Sequence, residues 1–283
     1  MSHLAKARVP RVLAIDAGGT MTDTFIVDES GSFSVGKAQT TPEDESVGFM
    51  KSSSDALGQW DMAVSEGFPQ IRSGVFSGTA MLNRLLSRQG LKVGVVVTAG
   101  QEDCLKMERG IQTYLGFSYG DRLHLATHHH NEPLVPRERI YGVRGRVDLF
   151  GVEVLPLREQ DVHDAAAALI EDGVDAIVCS LLFSYRNPAH EARVGELLRA
   201  AVAESGREIP VMLSSELYPT RRDLPRLNST VIEAYAAEPS RATLRSISDR
   251  TREDGANFEL RVMASHGGTI SIDAKELGTT LIS

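Results

Sequence analysis

Asp16-Ala17-Gly18-Gly19-Thr20-Met21-Thr22-Asp23 joins two carboxylates, two adjacent glycines and two hydroxyls between two apolar runs. Val12, Leu13, Ala14 and Ile15 precede it with the character of a buried strand. Phe25, Ile26 and Val27 resume one after it, so the octapeptide is the turn between them. Gly18 and Gly19 have no Cβ, which lets their N–H groups approach an anion closely and frees the backbone for conformations that other residues resist. Thr20 and Thr22 add hydroxyl donors. Asp16 would repel a bare phosphate, so its presence calls for a hard cation such as Mg²⁺ between the two, held through carboxylate oxygen or coordinated water. Asp23 either orients the loop or contacts hydrated metal. The stretch reads as a phosphate-binding hairpin for a metal-nucleotide rather than an ordinary Gly-rich turn.

Outward from the hairpin, 34–38 returns as a third strand, and Thr40-Thr41-Pro42-Glu43-Asp44 carries the chemistry of a turn and a helix start. A helix follows to about Leu57. Val75-Phe76 and 93–97 are strands separated by a helix whose inward face is expected to be Ala80, Met81, Leu82, Leu85 and Leu86. Residues 101–154 read as a loop-rich insertion. Regular α/β order then resumes, with helical spacing at Val162, Ala165, Ala166, Leu169 and Ile170, a buried strand over 176–183, a helix over 188–204 and a strand over 211–213. A helical signal runs over 227–252, and 260–264 gives another strand before a glycine pair.

With 283 residues and a net charge of -8, the chain can bury a substantial core and offers no basic field for nucleic acid or anionic lipid. No run approaches the roughly 18 apolar residues that span a bilayer, and none resembles a signal peptide, so the expected location is cytoplasmic without membrane contact. Cys104 and Cys179 belong to no Cys-x-x-Cys pair and read as isolated thiols.

Several further residues are candidates for chemistry. Lys37 could counter a transferring phosphoryl group, with a solvated strand lysine as the equal alternative. Thr79 and Asn83 stand where a strand passes into a helix, either lining a nucleotide cleft or capping the helix. His266, Gly267 and Gly268 form a small-residue turn after a strand, where backbone can approach a ligand. His124, His128, His129 and His130 cluster without a fixed third ligand set, which favours an exposed or substrate-pocket loop over a metal site. Arg109, Arg137, Arg221 and Arg222 read individually as surface charges.

Asp-x-Gly-Gly-Thr-x-Thr-Asp resembles the first phosphate loop of the hydantoinase A and oxoprolinase family, within the actin, Hsp70 and sugar-kinase superfold. The resemblance continues through Lys37 with Thr40-Thr41-Pro42, Ser77-Gly78-Thr79-Ala80-Met81-Leu82-Asn83, Pro133-Leu134-Val135-Pro136-Arg137 and Ser265-His266-Gly267-Gly268. Met21 in the loop, the 77–83 segment, Ala236-Ala237-Glu238-Pro239-Ser240-Arg241 and the 263–271 segment are most similar to the ATP-using beta subunits of acetone carboxylases.

The resemblance implies an α/β, ribonuclease-H-like mixed sheet flanked by helices, with an N-terminal family domain over 8–205 and the opening segment of the family's core over 206–283. No second Gly-rich phosphate loop appears by Ser283, so an N-terminal portion of a longer chain is expected, weak in nucleotide turnover by itself. The implied activity is that of a cytoplasmic ligase. It uses ATP and Mg²⁺ to activate a small ketone as its phosphorylated enol and bicarbonate as a carboxyphosphate, and other carboxylase subunits help form the 3-oxo acid. Gly18, Gly19, Thr20, Thr22, Lys37 and Thr79 would then meet phosphate, Asp16 and Asp23 the metal, and Asn83, His266, Gly267 and Gly268 the cleft. No general base is identifiable. The rival readings are a hydantoinase or 5-oxoprolinase-type cyclic-amide hydrolase, a small-molecule kinase, and a noncatalytic nucleotide-binding or assembly module.

Overall fold

The computed structural model describes residues 8–41, 44–107, 116–124, 126 and 132–280. The chain first forms β1 (Pro10–Ala17), β2 (Met21–Asp28), β3 (Phe33–Gln39), α1 (Glu45–Gly58), α2 (Val64–Gly67), β4 (Ser73–Gly78) and α3 (Ala80–Ser87). It continues through β5 (Val93–Thr98), α4 (Cys104–Met107), α5 (Tyr119–Leu123), β6 (Ile140–Val143), β7 (Arg146–Val147), β8 (Glu153–Leu155), α6 (Glu159–Glu171), β9 (Ala176–Ser180), α7 (Ala189–Glu204), β10 (Val211–Leu213), α8 (Ser214–Leu217) and α9 (Asp223–Ile232). A π-helical turn, Glu233–Ala237, leads into α10 (Glu238–Glu253), β11 (Leu260–Met263), β12 (Thr269–Ser271) and α11 (Leu277–Thr280). Two compact units result, one of Met1–Gln89 with Ala236–Ser283 and one of Gly90–Tyr235. No helix among the described residues is long and apolar enough to cross a membrane.

The first unit holds a six-stranded mixed sheet in the order β12-β11-β4-β1-β2-β3. β1, β2 and β3 are antiparallel neighbours, whereas β4 runs parallel to both β1 and β11. Strand alternation decides which face is packed. Leu13, Ile15 and Ala17 of β1 and Thr22, Thr24 and Ile26 of β2 point to the buried side, where α1 lies. That helix approaches on small and hydroxylated residues: Thr24 Oγ1 and Ser52 Oγ are 2.6 Å apart. A Cβ on Gly36 would stand 2.0 Å from the Ser52 carbonyl oxygen, so β3 meets α1 backbone to backbone only because that position is glycine. Asp44 caps α1, accepting from the Ser46 amide at 3.1 Å.

The second unit carries a wholly parallel four-stranded sheet, β10-β9-β5-β6, and a separate β7-β8 ribbon. Val162, Ala165, Ala166 and Leu169 of α6 and Val194, Leu197, Leu198 and Val202 of α7 pack on it with Val96, Ile177 and Leu213. Burying these aliphatic side chains stabilises the unit by about 1.5–3 kcal/mol each. Two buried charges organise the chain that leaves β9. Glu191 accepts from the amides of Leu181 at 3.0 Å and Ser215 at 2.8 Å. Arg226 donates to the carbonyls of Leu181 at 2.7 Å and Thr220 at 3.1 Å, to Ser214 Oγ at 2.9 Å and to Asp223 Oδ1 at 2.6 Å.

Most element expectations hold, and four are corrected; the strand expected over 176–183 stops at Ser180, because the chain turns there and Phe183 adopts a positive φ. The loop-rich 101–154 stretch contains a sheet strand, β6, paired parallel to β5; its mixed sequence hid it because at four residues it is too short to show a period. The helix expected over 227–252 begins earlier, at Asp223, and is interrupted by the π turn. The expected apolar face of α3 holds in part: Met81 is buried and Ala80, Leu82 and Leu85 are half-buried, but Leu86 is 74% exposed. α3 also presents Ala80, Asn83, Arg84 and Ser87, spaced as one largely polar helical face, to a cavity that they line.

Candidate functional site

The hairpin between β1 and β2 lies where the sequence places it. Its turn closes through Gly18 N–H to the Met21 carbonyl at 3.0 Å. Among the described residues the N–H groups of Gly19 and Thr20 have no acceptor, and both residues are exposed at the tip. N–H donors without a protein acceptor, on exposed residues, are what an anion needs. Neither Gly18 nor Gly19 has positive φ, which corrects the idea that they are glycine for an unusual backbone conformation. For Gly18 space is the reason instead, since a Cβ would crowd the Met21 carbonyl at 3.1 Å; at Gly19 a Cβ would make ordinary contact with the Asn83 amide nitrogen at 3.6 Å.

Thr22 is placed differently from its expected role. Its side chain is fully buried, 2.9 Å from Thr40 Oγ1. Because the Thr40 hydroxyl donates its proton to the Gly18 carbonyl at 2.8 Å, it accepts from Thr22, and the chain Thr22 to Thr40 to Gly18 staples the hairpin to the end of β3. Thr40 N–H adds a bond to the Thr20 carbonyl at 2.9 Å. Thr22 therefore supports the loop, and Thr20 keeps the exposed hydroxyl.

Strand register sets a row of polar groups on the opposite face. Asp16 stands across from Asp23 on one side and Ser77 on the other, and Asp23 stands across from Lys37. Residues in register share a face, so these four side chains project together. Lys37 Nζ is 2.9 Å from Asp23 Oδ1, both half-exposed, so the lysine charge is committed to Asp23. The Asp16 carboxylate is exposed and makes no hydrogen bond or ion pair among the described residues.

Beneath the hairpin is a cavity of about 290 Å³ bounded by Ala17, Gly18, Gly19 and Thr40, by Glu45 of α1, and by the polar face of α3 with Gln89. Burial pushes the Glu45 carboxyl above its ordinary range, and the nearby Arg84 partly offsets this. The Arg84 guanidinium makes no hydrogen bond or ion pair among the described residues, leaving its donors available to the cavity. Arg84, Glu45 and Ser87 were not singled out from sequence. The 80, 83, 84, 87 spacing was the available signal, and the leucines of α3 concealed it.

The remaining candidates divide. Thr79 sits at the N-cap of α3, yet its side chain makes no capping bond; the Asn83 amide donates to Thr79 Oγ1 at 3.3 Å. Asn83 thus joins Thr79 to the glycine hairpin. His266, Gly267 and Gly268 form a strand-to-strand turn between β11 and β12, where Gly267 (φ 88°) and Gly268 (φ 77°) do require glycine. Parallel pairing puts this turn at the same end of the sheet as the β1–β2 hairpin, but it does not line the cavity. His124 is exposed, while His128, His129, His130 and Arg109 lie outside the described residues. Arg137 is held by Asp103 at 2.7 Å, and Arg221 and Arg222 are exposed. Both cysteines are free thiols. No cluster of three metal-ligating side chains occurs among the described residues.

A β3-β2-β1-β4-β11 strand order with antiparallel β1 to β3, parallel β4 and β11, and a glycine hairpin after β1 defines the actin-like, ribonuclease-H-like ATPase fold. The chain belongs to the hydantoinase/oxoprolinase family: the model of its N-terminal region matches residues 12–202, and the hydantoinase/oxoprolinase model matches 226–283. It is 52% identical over 273 residues to the acetone carboxylase beta subunit of Xanthobacter autotrophicus, covering 96% of this chain and 38% of that protein. It is 34% identical to the acetophenone carboxylase gamma subunit of Aromatoleum aromaticum, covering 96% and 37%. A nucleotide-free structure of acetone carboxylase, an ATP-dependent enzyme, superposes with a TM-score of 0.91 at 51% identity over 98% of this chain and 39% of that one. The ATP-dependent caprolactamase of Pseudomonas jessenii superposes with 0.72 at 31% identity, covering 91% and 36%. The chain spans about two fifths of the length of these relatives.

Proposed function

We propose that this chain is the ATP-handling part of an acetone-carboxylase-like ligase, working in the cytoplasm with other carboxylase subunits on a small ketone and bicarbonate. The observation that carries the reading is the pair of N–H groups at Gly19 and Thr20 that have no acceptor among the described residues, on a hairpin whose Gly19 lines the same cavity as Arg84. Phosphoryl transfer needs aligned oxygens and neutralised charge more than a protein nucleophile. Gly19, Thr20 and the Thr20 hydroxyl would grip phosphate oxygens, Arg84 and Asn83 would complete the grip from α3, and Thr22 with Thr40 would hold the loop rigid. Mg²⁺ fits beside Asp16, with Asp23 as the second carboxylate of the row, and would neutralise phosphate charge. The likeness to a carboxylase at 52% identity supports a ketone over a cyclic amide; the caprolactamase likeness, at 32%, supports the amide hydrolase as the second reading.

Phosphate release from ATP, measured on this chain with its copurifying subunits, separates the two. Acetone is expected to stimulate release, and hydantoin, 5-oxoproline and caprolactam to leave it at the basal rate. Arg84→Ala is expected to weaken nucleotide affinity about tenfold, the scale of one charge-assisted contact. Stimulation by a cyclic amide alone would overturn the carboxylase reading, and unchanged affinity in Arg84→Ala would remove α3 from the site.

A further inference from the structure

The second unit contains a site of its own. In its parallel sheet, β5 leads to β6 on one side, and β9 leads to β10 on the other. Chains leaving the carboxyl ends of β5 and β9 therefore part in opposite directions, which opens a crevice at that point in any doubly wound sheet. A small cavity lies there, between Val97 at the end of β5 and Ser180 at the end of β9.

Its apolar wall is Leu182 with Leu224 and Leu227 of α9, and its polar groups are Gln101, Ser180 and Cys104. Ser180 is buried, and its hydroxyl makes no hydrogen bond among the described residues. Burial pushes the Cys104 thiol up to about 11, so it is neutral at physiological pH. Asp223 also borders the cavity, and its charge is met by Arg226 at 2.6 Å. The rim is fixed rather than mobile in design: Phe183 adopts φ 58° and donates its amide to Asp223 at 2.9 Å, while Arg226 and Glu191 hold the Leu181 backbone from either side.

We propose that this cavity binds a small uncharged carbonyl compound, with the ligand oxygen accepting from the Ser180 hydroxyl and the aliphatic body against Leu182, Leu224 and Leu227. Its volume of about 40 Å³, at about 10–15 Å³ for each water, corresponds to roughly three to four waters and so to a solute of roughly three to four heavy atoms. Among the described residues no cationic side chain lines it to hold a carboxylate or bicarbonate, and Asp223 disfavours anions. Assigning the occupant as the ketone rests on the carboxylase reading above; the cavity and its neutrality do not.

The test is saturation-transfer NMR on the full chain without nucleotide, using acetone and, as the charged isostere, acetate. Acetone is expected to bind and acetate not. Ser180→Ala is expected to weaken acetone about fivefold, one neutral hydrogen bond, and Leu224→Phe, at a half-buried position that tolerates bulk better than Leu227, to abolish it. Asp16→Asn is expected to leave acetone binding unchanged, which separates failure of the nucleotide assignment from failure of this one. Equal acetone signals in wild type, Ser180→Ala and Leu224→Phe, or acetate binding as well as acetone, would overturn the proposal.

Discussion

Asp16→Asn is expected to lower MgATP turnover by about 100-fold or more with no change of fold, the scale seen when one preorganised electrostatic group is removed from a transferring centre. The carboxylate is exposed and bonded to nothing among the described residues, so its charge supports no packing. An amide oxygen is a poorer ligand for a hard cation, and the substitution leaves the size of the side chain nearly unchanged. Asp23→Asn serves as the internal comparison. It breaks a half-exposed pair with Lys37 that is worth at most about 1 kcal/mol, and it is expected to lower turnover less. Phosphate release at saturating MgATP, with far-UV circular dichroism as the control for folding, gives the result. Wild-type turnover in Asp16→Asn would remove the hairpin from the nucleotide site.

Arg226→Met is expected to destabilise the second unit by about 3–5 kcal/mol, the usual consequence of removing one partner from a buried charged network. Arg226 is fully buried and satisfies two carbonyls, the Ser214 hydroxyl and Asp223 at once. Methionine fills the space but leaves the Leu181 and Thr220 carbonyls unpaired and Asp223 uncompensated. Because the chain has two compact units, a single melting curve blends them. Amide exchange in β9 reports on the second unit alone, and protection there is expected to collapse. A loss below about 1 kcal/mol would mean that the network contributes little to holding the crest above β9.

The fold was legible where chemistry and period coincided. The hairpin and its three antiparallel strands follow from an apolar run, a glycine pair and a second apolar run, and β9 to β10 from strict helix and strand alternation. The division into two sheets was not legible, since β4 and β5 both read as strands flanking a helix and nothing local says that they join different sheets. Of the site, the exposed tip and Asp16 were readable because the residue types are costly to place there without purpose. The orientation of Thr22 was not, because alternation along β2 turns it inward while its residue type argues for outward. Arg84 was masked for a related reason: the eye follows leucines along α3, whereas the cavity is lined by the polar face between them.

The most direct measurement is amide hydrogen exchange across residues 16–23 with and without nucleotide. If the hairpin grips phosphate through Mg²⁺, the Gly19 and Thr20 amides, which have no acceptor in the free protein, exchange at least about tenfold more slowly with MgATP and recover their free rates when Mg²⁺ is chelated. Exchange at Gly19 and Thr20 that stays the same at saturating MgATP would contradict the account.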